Sequence, residues 1–169
     1  MKRCLLLLCF CANFLIAQQT EYVDFKTAKA EIIFKDLAEK EIEGLITYEF
    51  EILKATDSIF IDAKGFNNIT YRLDDKFEDS LYNQKQLIVK YPFKENTHHK
   101  IEVLWDTKPK KAMYFIDWEY ENGNKQIWTQ GQGKYTSNWL PSIDDMNEKV
   151  EFDLSITFDT AYEVIANGK

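Results

Sequence analysis

Two adjacent histidines, His98 and His99, are the only imidazole side chains in the sequence that could ligate a metal or act as a general base. Neighbouring residues on an extended chain point to opposite sides, so this pair is a poor metal site. A zinc peptidase helix needs two histidines four positions apart with a glutamate beside the first, and no segment has that pattern. The sequence therefore predicts no metal ligands and no catalytic residues in this chain.

Other catalytic groups are equally scarce. The three cysteines are Cys4, Cys9 and Cys11, and all of them leave with the leader described next, so no thiol nucleophile and no disulfide remains. No serine lies in the context of a nucleophile elbow, and no glycine-rich phosphate loop follows a predicted strand. A Ser/His/Asp arrangement assembled by folding stays open, but the chain alone is predicted to be inactive.

The first seventeen residues have the order of a secretory signal peptide. Lys2 and Arg3 precede an apolar run that is broken only by Asn13, and Ala17 then precedes polar residues. The run is shorter than the roughly 20 apolar residues that a membrane span needs, which makes a retained anchor the weaker alternative. We expect cleavage after Ala17, export to the periplasm or the exterior, no membrane span in the mature chain, and one domain over residues 18–169.

Most of the mature sequence alternates apolar and polar residues with a period of two. This alternation is typical of strands that bury one face and leave the other in water. It is clearest in residues 44–53 and 149–159, and shorter runs occupy residues 28–34, 58–63, 68–73, 86–91 and 100–105. Residues 75–82 could form one turn of helix at most. The spacing predicts an all-β fold, an antiparallel β-sandwich or barrel.

Charge and aromatic content narrow the classes of function. Loss of Lys2 and Arg3 with the leader takes the net charge from −7 to −9, and an acidic chain without a basic run is a poor nucleic-acid binder. Aromatic residues make up 15% of the sequence, including Trp105, Trp128 and Trp139. Such rings fill cores and interdomain faces more often than they stack on sugars.

The end of the chain predicts a further hairpin. Residues 162–166 have the composition of a strand, and Asn167-Gly168 is a strong signal for a type I′ turn. A turn with no returning strand indicates that the natural sequence continues beyond Lys169. The alternative is a frayed polar tail.

Within the stretch Lys111–Lys169, the segment from Trp128 to Phe158 carries the motifs of a family resemblance. Thr129-Gln130-Gly131-Gln132 is followed by Leu140-Pro141, then by Asp144 and the strand predicted at residues 149–159. This order is similar to the T-Q-x-[E/Q], F-P-C-x-D-x-P and following strand of the aminopeptidase N family of zinc metallopeptidases. One bacterial branch of that family carries W-T-Q-G-Q and a tryptophan before the Phe-Pro pair, which Trp128 and Trp139 match.

The resemblance implies a saddle-like N-terminal β domain whose partner is a downstream zinc peptidase domain absent from this chain. It implies no cofactor here, because the zinc belongs to that catalytic domain. Gln132 matches the residue that binds the amino terminus of the peptide substrate, and Gln130 is the second, weaker candidate. Without the resemblance, Gln132 would be an ordinary loop residue between Gly131 and Gly133.

Two functions remain after these steps. The first is a non-catalytic N-terminal domain or fragment of a secreted zinc aminopeptidase, which shapes the substrate cleft. The alternative is a stand-alone secreted β-sandwich that binds a glycan or a protein through its aromatic residues. For the first function we expect an exposed apolar face in the isolated chain, with Trp128 and Trp139 at its edge.

Overall fold

A computed structural model describes residues 18–167, which form eleven strands and two short 3₁₀ helices. The strands are β1 (Val23–Asp36), β2 (Glu41–Ile52), β3 (Thr56–Asp62), β4 (Asn68–Leu73), β5 (Lys76–Glu78), β6 (Leu81–Tyr82), β7 (Gln86–Phe93), β8 (His98–Thr107), β9 (Met113–Ile116), β10 (Gln126–Thr129) and β11 (Glu151–Thr157). The 3₁₀ helices are Gln19–Glu21 and Thr136–Asn138. The predicted all-β class is confirmed. The possible helical turn at residues 75–82 is wrong, because that segment contributes the short strands β5 and β6.

The strands form three sheets. The largest has the order β11-β1-β2-β8-β4-β5, and smaller sheets have the orders β3-β7-β6 and β10-β9. Every pair is antiparallel, as predicted, except that β11 runs parallel to β1, with Ala30 beside Leu154. Parallel neighbours need a long connection, and more than a hundred residues separate these two strands along the chain.

The core lies between the six-stranded and the three-stranded sheet. Its inward residues include Ile46 and Phe50 of β2 and Ile61 and Val89 of the smaller sheet, all buried. The Phe50 ring approaches the Phe93 ring edge-on, with 5.9 Å between centroids, which joins the two sheets. Edge-to-face aromatic pairs of this kind add to the burial energy of their rings.

The last described segment departs from two predictions. The apolar face of β11 is only partly covered, and Phe152 is 47% exposed, because this edge strand lacks the second layer that covers β2. Residues 162–166 were predicted as a strand but pair with no strand among the described residues. They are attached instead through Tyr162, whose ring packs against Trp118 and Phe158. The predicted signal peptide, and Gly168 of the predicted hairpin, lie outside the described residues.

Candidate functional site

The glutamine loop, defined here as residues 130–135, begins where β10 ends. Its first residue is held at the neighbouring strand, because the Gln130 N–H donates to the carbonyl oxygen of Ala112 at 2.8 Å. The chain then turns through left-handed backbone, with φ of +72° at Gly133 and +70° at Lys134. Glycine adopts such angles without steric cost. The sequence therefore folds residues 130–135 into a tight turn at the end of the β9–β10 hairpin.

Both predicted site residues lie on the surface of this turn. The side chains of Gln130 and Gln132 are exposed. Gly131 between them packs closely, since a Cβ there would come within 2.6 Å of the Thr136 hydroxyl oxygen. The loop backbone is thus packed against the 3₁₀ helix Thr136–Asn138 while the two carboxamides face outward.

A buried carboxylate anchors the far side of the loop. The Asp144 side chain is only 7% exposed and accepts hydrogen bonds from the Ser137 and Ser142 hydroxyls. The Lys64 ammonium also donates to it, with Nζ 2.9 Å from Oδ2. The same ammonium donates to the carbonyl oxygen of Lys134 in the glutamine loop at 2.8 Å.

Backbone hydrogen bonds attach this anchored segment to the end of β3. Asp62 and Ser142 exchange two bonds of 2.8 and 2.9 Å, and the Lys64 N–H donates to Ser137 at 2.7 Å. The Asp144 N–H donates to the Asp62 carboxylate at 3.0 Å. The segment after the glutamine loop is therefore fixed to the core sheets at several points.

Comparison with known proteins identifies the family. The family described as Peptidase M1 N-terminal domain matches residues 21–169. This chain belongs to that family. The resemblance predicted from the segment between Trp128 and Phe158 is thereby confirmed. A separate comparison with curated proteins finds no match.

Solved structures with the same fold are M1 metallopeptidases and a related hydrolase. An M1 zinc metallopeptidase from Deinococcus radiodurans superposes with a TM-score of 0.67 at 11% identity, covering 80% of this chain and 32% of that one. Leukotriene A4 hydrolase from Saccharomyces cerevisiae gives a TM-score of 0.70 at 14% identity, covering 81% and 23%. This M1 N-terminal domain thus spans a third or less of these relatives.

One position where the sequence departs from the family motif lies at the buried carboxylate. Ser142 follows Leu140-Pro141 and stands where F-P-C-x-D-x-P has a cysteine, and Ser137 lies beside the same carboxylate. Both hydroxyls bind Asp144 in this M1 domain. Sequence reasoning missed Lys64 and Asp62, which lie 80 and 82 residues from Asp144 along the chain. No local motif could have indicated them.

Electrostatics of the anchor follow from these contacts. Burial by itself would raise the pKa of the Asp144 carboxyl, but hydrogen bonds from Ser137, Lys64 and Ser142, with the Lys64 charge, hold it below its ordinary value. Burial and the charges of Asp144 and Asp62 raise the pKa of Tyr48. The Tyr48 hydroxyl therefore stays neutral and donates to the Pro141 carbonyl oxygen at 2.8 Å.

An aromatic face, consisting of Tyr114, Ile116 and Trp128, lies on the outer side of the β9–β10 hairpin next to the glutamine loop. The Tyr114 and Trp128 rings stack with 4.3 Å between centroids, and Trp128 is 46% exposed. The prediction of an exposed apolar edge is thus correct for Trp128. It is wrong for Trp139, which is 8% exposed, because that ring packs into the hydrophobic core after the 3₁₀ helix Thr136–Asn138.

Of the two histidines, His99 serves the packing of this M1 domain, whereas His98 is exposed. The His99 ring stacks on Phe50 with 5.6 Å between centroids, and its Nδ1 lies 2.8 Å from the Asp74 carboxylate. Within residues 18–167, no group of three or more His, Cys, Asp or Glu side chains is placed to hold a metal ion. No helix among the described residues is long and apolar enough to cross a membrane.

Proposed function

We propose that this chain is the non-catalytic N-terminal domain of an exported zinc aminopeptidase and that its glutamine loop binds the free amino terminus of a peptide. The observation that carries the proposal is the family match over residues 21–169, taken with the exposed Gln132 side chain in the motif of that family. The proposal includes the aminopeptidase activity of the whole protein, its export and its peptide substrate.

The chemistry of the loop suits recognition of an amine. The Gln132 amide oxygen can accept a hydrogen bond from an ammonium group, and such a bond to a charged partner is stronger than a neutral one. A carboxamide donates and accepts hydrogen bonds but does not ionise near neutral pH, so it cannot act as a general acid or base in bond cleavage. Gln132 therefore orients the peptide, and Gln130 contributes mainly through its backbone bond to Ala112.

The zinc of such an enzyme does not fit the residues described here. His98 and His99 follow each other on β8 and point to opposite sides, and His99 is already engaged by Asp74. We therefore assign the metal, and with it the bond-breaking step, to a downstream catalytic domain. No step of the reaction is assigned to a metal in this chain.

A comparison of the 169-residue chain with and without the downstream domain tests directly where the zinc and the activity lie. Metal analysis of the purified 169-residue chain should find no stoichiometric zinc, and an amino-acid amide assay should find no turnover. The same protein extended by its downstream domain should contain zinc and cleave the amide. One tightly bound zinc per 169-residue chain together with turnover would contradict the assignment.

Docking of the catalytic domain is assigned to the aromatic face. In the extended protein, Trp128→Ala should lower the free energy of unfolding by about 2 kcal/mol or more, the loss that defines a hot spot at an interface. The measurement is urea unfolding of the extended protein and of the 169-residue chain, where only the stacking on Tyr114 is lost and the change should be smaller.

Phe77 provides the matched control for Trp128. It is an exposed aromatic residue on β5, in a different sheet from the aromatic face. Phe77→Ala should affect the extended protein and the 169-residue chain equally. An equal effect of Trp128→Ala on both proteins would exclude the aromatic face as the docking surface.

A further inference from the structure

One ammonium group joins the glutamine loop to its buried anchor. Lys64 Nζ lies 2.8 Å from the Lys134 carbonyl oxygen and 2.9 Å from Asp144 Oδ2. Lys134 is two residues beyond Gln132. We propose that Lys64 is a positioning residue that fixes the glutamine loop for binding the amino terminus of a peptide. The consequence for peptide binding rests on the proposed function, whereas the effect on the loop does not.

The loop depends on this contact because its own bonds do not secure the tip. In the described residues, backbone bonds of the loop run from Gln130 to Ala112 at 2.8 Å, from Tyr135 to Gly131 at 3.5 Å, and from Asn138 to the Tyr135 carbonyl oxygen at 3.0 Å. The first holds only the start of the loop and the third only its end, and the second is long and lies within it. Lys64 supplies the bond between Lys134 and another element. The left-handed turn at Gly133 and Lys134 is thereby tied to the end of β3.

Lys64 is itself held on both sides. Its N–H donates to the Ser137 carbonyl oxygen at 2.7 Å, and its ammonium faces a carboxylate that is almost fully buried. Two of the three donors of a lysine ammonium are used here. Ser137 and Ser142 in turn fix Asp144. The Lys64 ammonium that binds the loop is therefore held by a carboxylate that is itself fixed in place.

Hydrogen–deuterium exchange of the 169-residue chain tests the contact between Lys64 and the glutamine loop. In Lys64→Met, amides of peptides covering residues 130–136 should exchange about tenfold faster, as expected for loss of a charge-assisted hydrogen bond. Peptides of β1 and β2 should be unchanged. Lys108→Met is the matched control, because Lys108 and Lys64 are similarly exposed, at 43% and 40%, and Lys108 pairs with Glu39 and Glu41, far from the glutamine loop in sequence.

Kinetics of the extended protein, which includes the downstream domain, test the consequence for the peptide. Lys64→Met should raise KM for an amino-acid amide about tenfold while kcat changes by less than about twofold, the pattern of lost binding without lost chemistry. Lys64→Arg keeps a cationic donor and should restore at least part of the KM. An unchanged KM with faster loop exchange would contradict the role in peptide binding and leave the loop contact supported. Unchanged exchange in Lys64→Met would overturn the positioning role itself.

Discussion

Gln132→Ala in the protein extended by its downstream domain should lower kcat/KM for an amino-acid amide by about tenfold to hundredfold. The expected loss is one hydrogen bond to a charged ammonium, on the order of 1.5–3 kcal/mol, and each 1.36 kcal/mol corresponds to about a factor of ten in rate. Since the Gln132 side chain is exposed, its removal should leave the fold intact. Steady-state kinetics with thermal melts of each variant measure both quantities.

Two further variants separate amine recognition from loop stability. Gln132→Glu should retain or improve kcat/KM, because a carboxylate pairs better with an ammonium than an amide does. Gln130→Ala should act mainly through stability, with little effect on the kinetics. Normal activity of Gln132→Ala, with lost activity of Gln130→Ala at an unchanged melting temperature, would move the assignment to the other glutamine.

Asp144→Ala should lower the free energy of unfolding by about 2–3 kcal/mol. Breaking a buried ion pair typically costs more, but the Lys64 ammonium is partly exposed and can be hydrated once its partner is gone. The Ser137 and Ser142 hydroxyls are buried and would lose their acceptor. Urea unfolding measures the change. Asp75→Ala is the control, because Asp75 binds Lys100 at 2.7 Å on the open surface, where ion pairs contribute little.

The pH dependence of the stability loss in Asp144→Ala tests whether the charge of Asp144 causes that loss. The pKa of Asp144 is lowered in the folded chain from the ordinary 3.8, so the folded state favours the carboxylate more than the unfolded state does. The contribution of the Asp144 charge to the free energy of unfolding should be complete above the ordinary pKa of 3.8 and should be lost as pH falls through the lowered pKa of the folded state. The gap between the wild type and Asp144→Ala should therefore shrink in acid. A gap that stays constant down to about pH 2, well below the ordinary aspartate range, would mean that packing rather than charge is responsible.

Both the position and the burial of β2 were predictable from sequence, whereas for the edge strand β11 only the position was. In β2, Ile46 and Phe50 are buried where the alternation indicates. The same alternation in β11 is clearer still, yet Phe152 stays half exposed. Alternation reports which residues share a face. What covers that face depends on tertiary neighbours, which also decided that β11 runs parallel to β1.

The candidate site was likewise predictable from sequence only in part. Gln132 lies in a motif that local sequence can indicate, and its exposure agrees with a role in binding. The Lys64 and Asp62 contacts that hold the loop come from the end of another strand, so no spacing rule reaches them. Trp139 was predicted at the surface because it stands near the motif, but the fixed segment after the loop carries its ring into the core.

The parallel pairing of β1 with β11 has a consequence for biosynthesis. Thr27 pairs with Glu151, so after Thr27 the ribosome must add 124 residues, the last of which is Glu151. At about 5–20 residues per second this interval lasts roughly 6 to 25 seconds. Throughout that time one side of β1 presents unpaired N–H and C=O groups, which can template pairing with another chain. The nascent domain must therefore complete its largest sheet late, when almost all of its residues have left the ribosome.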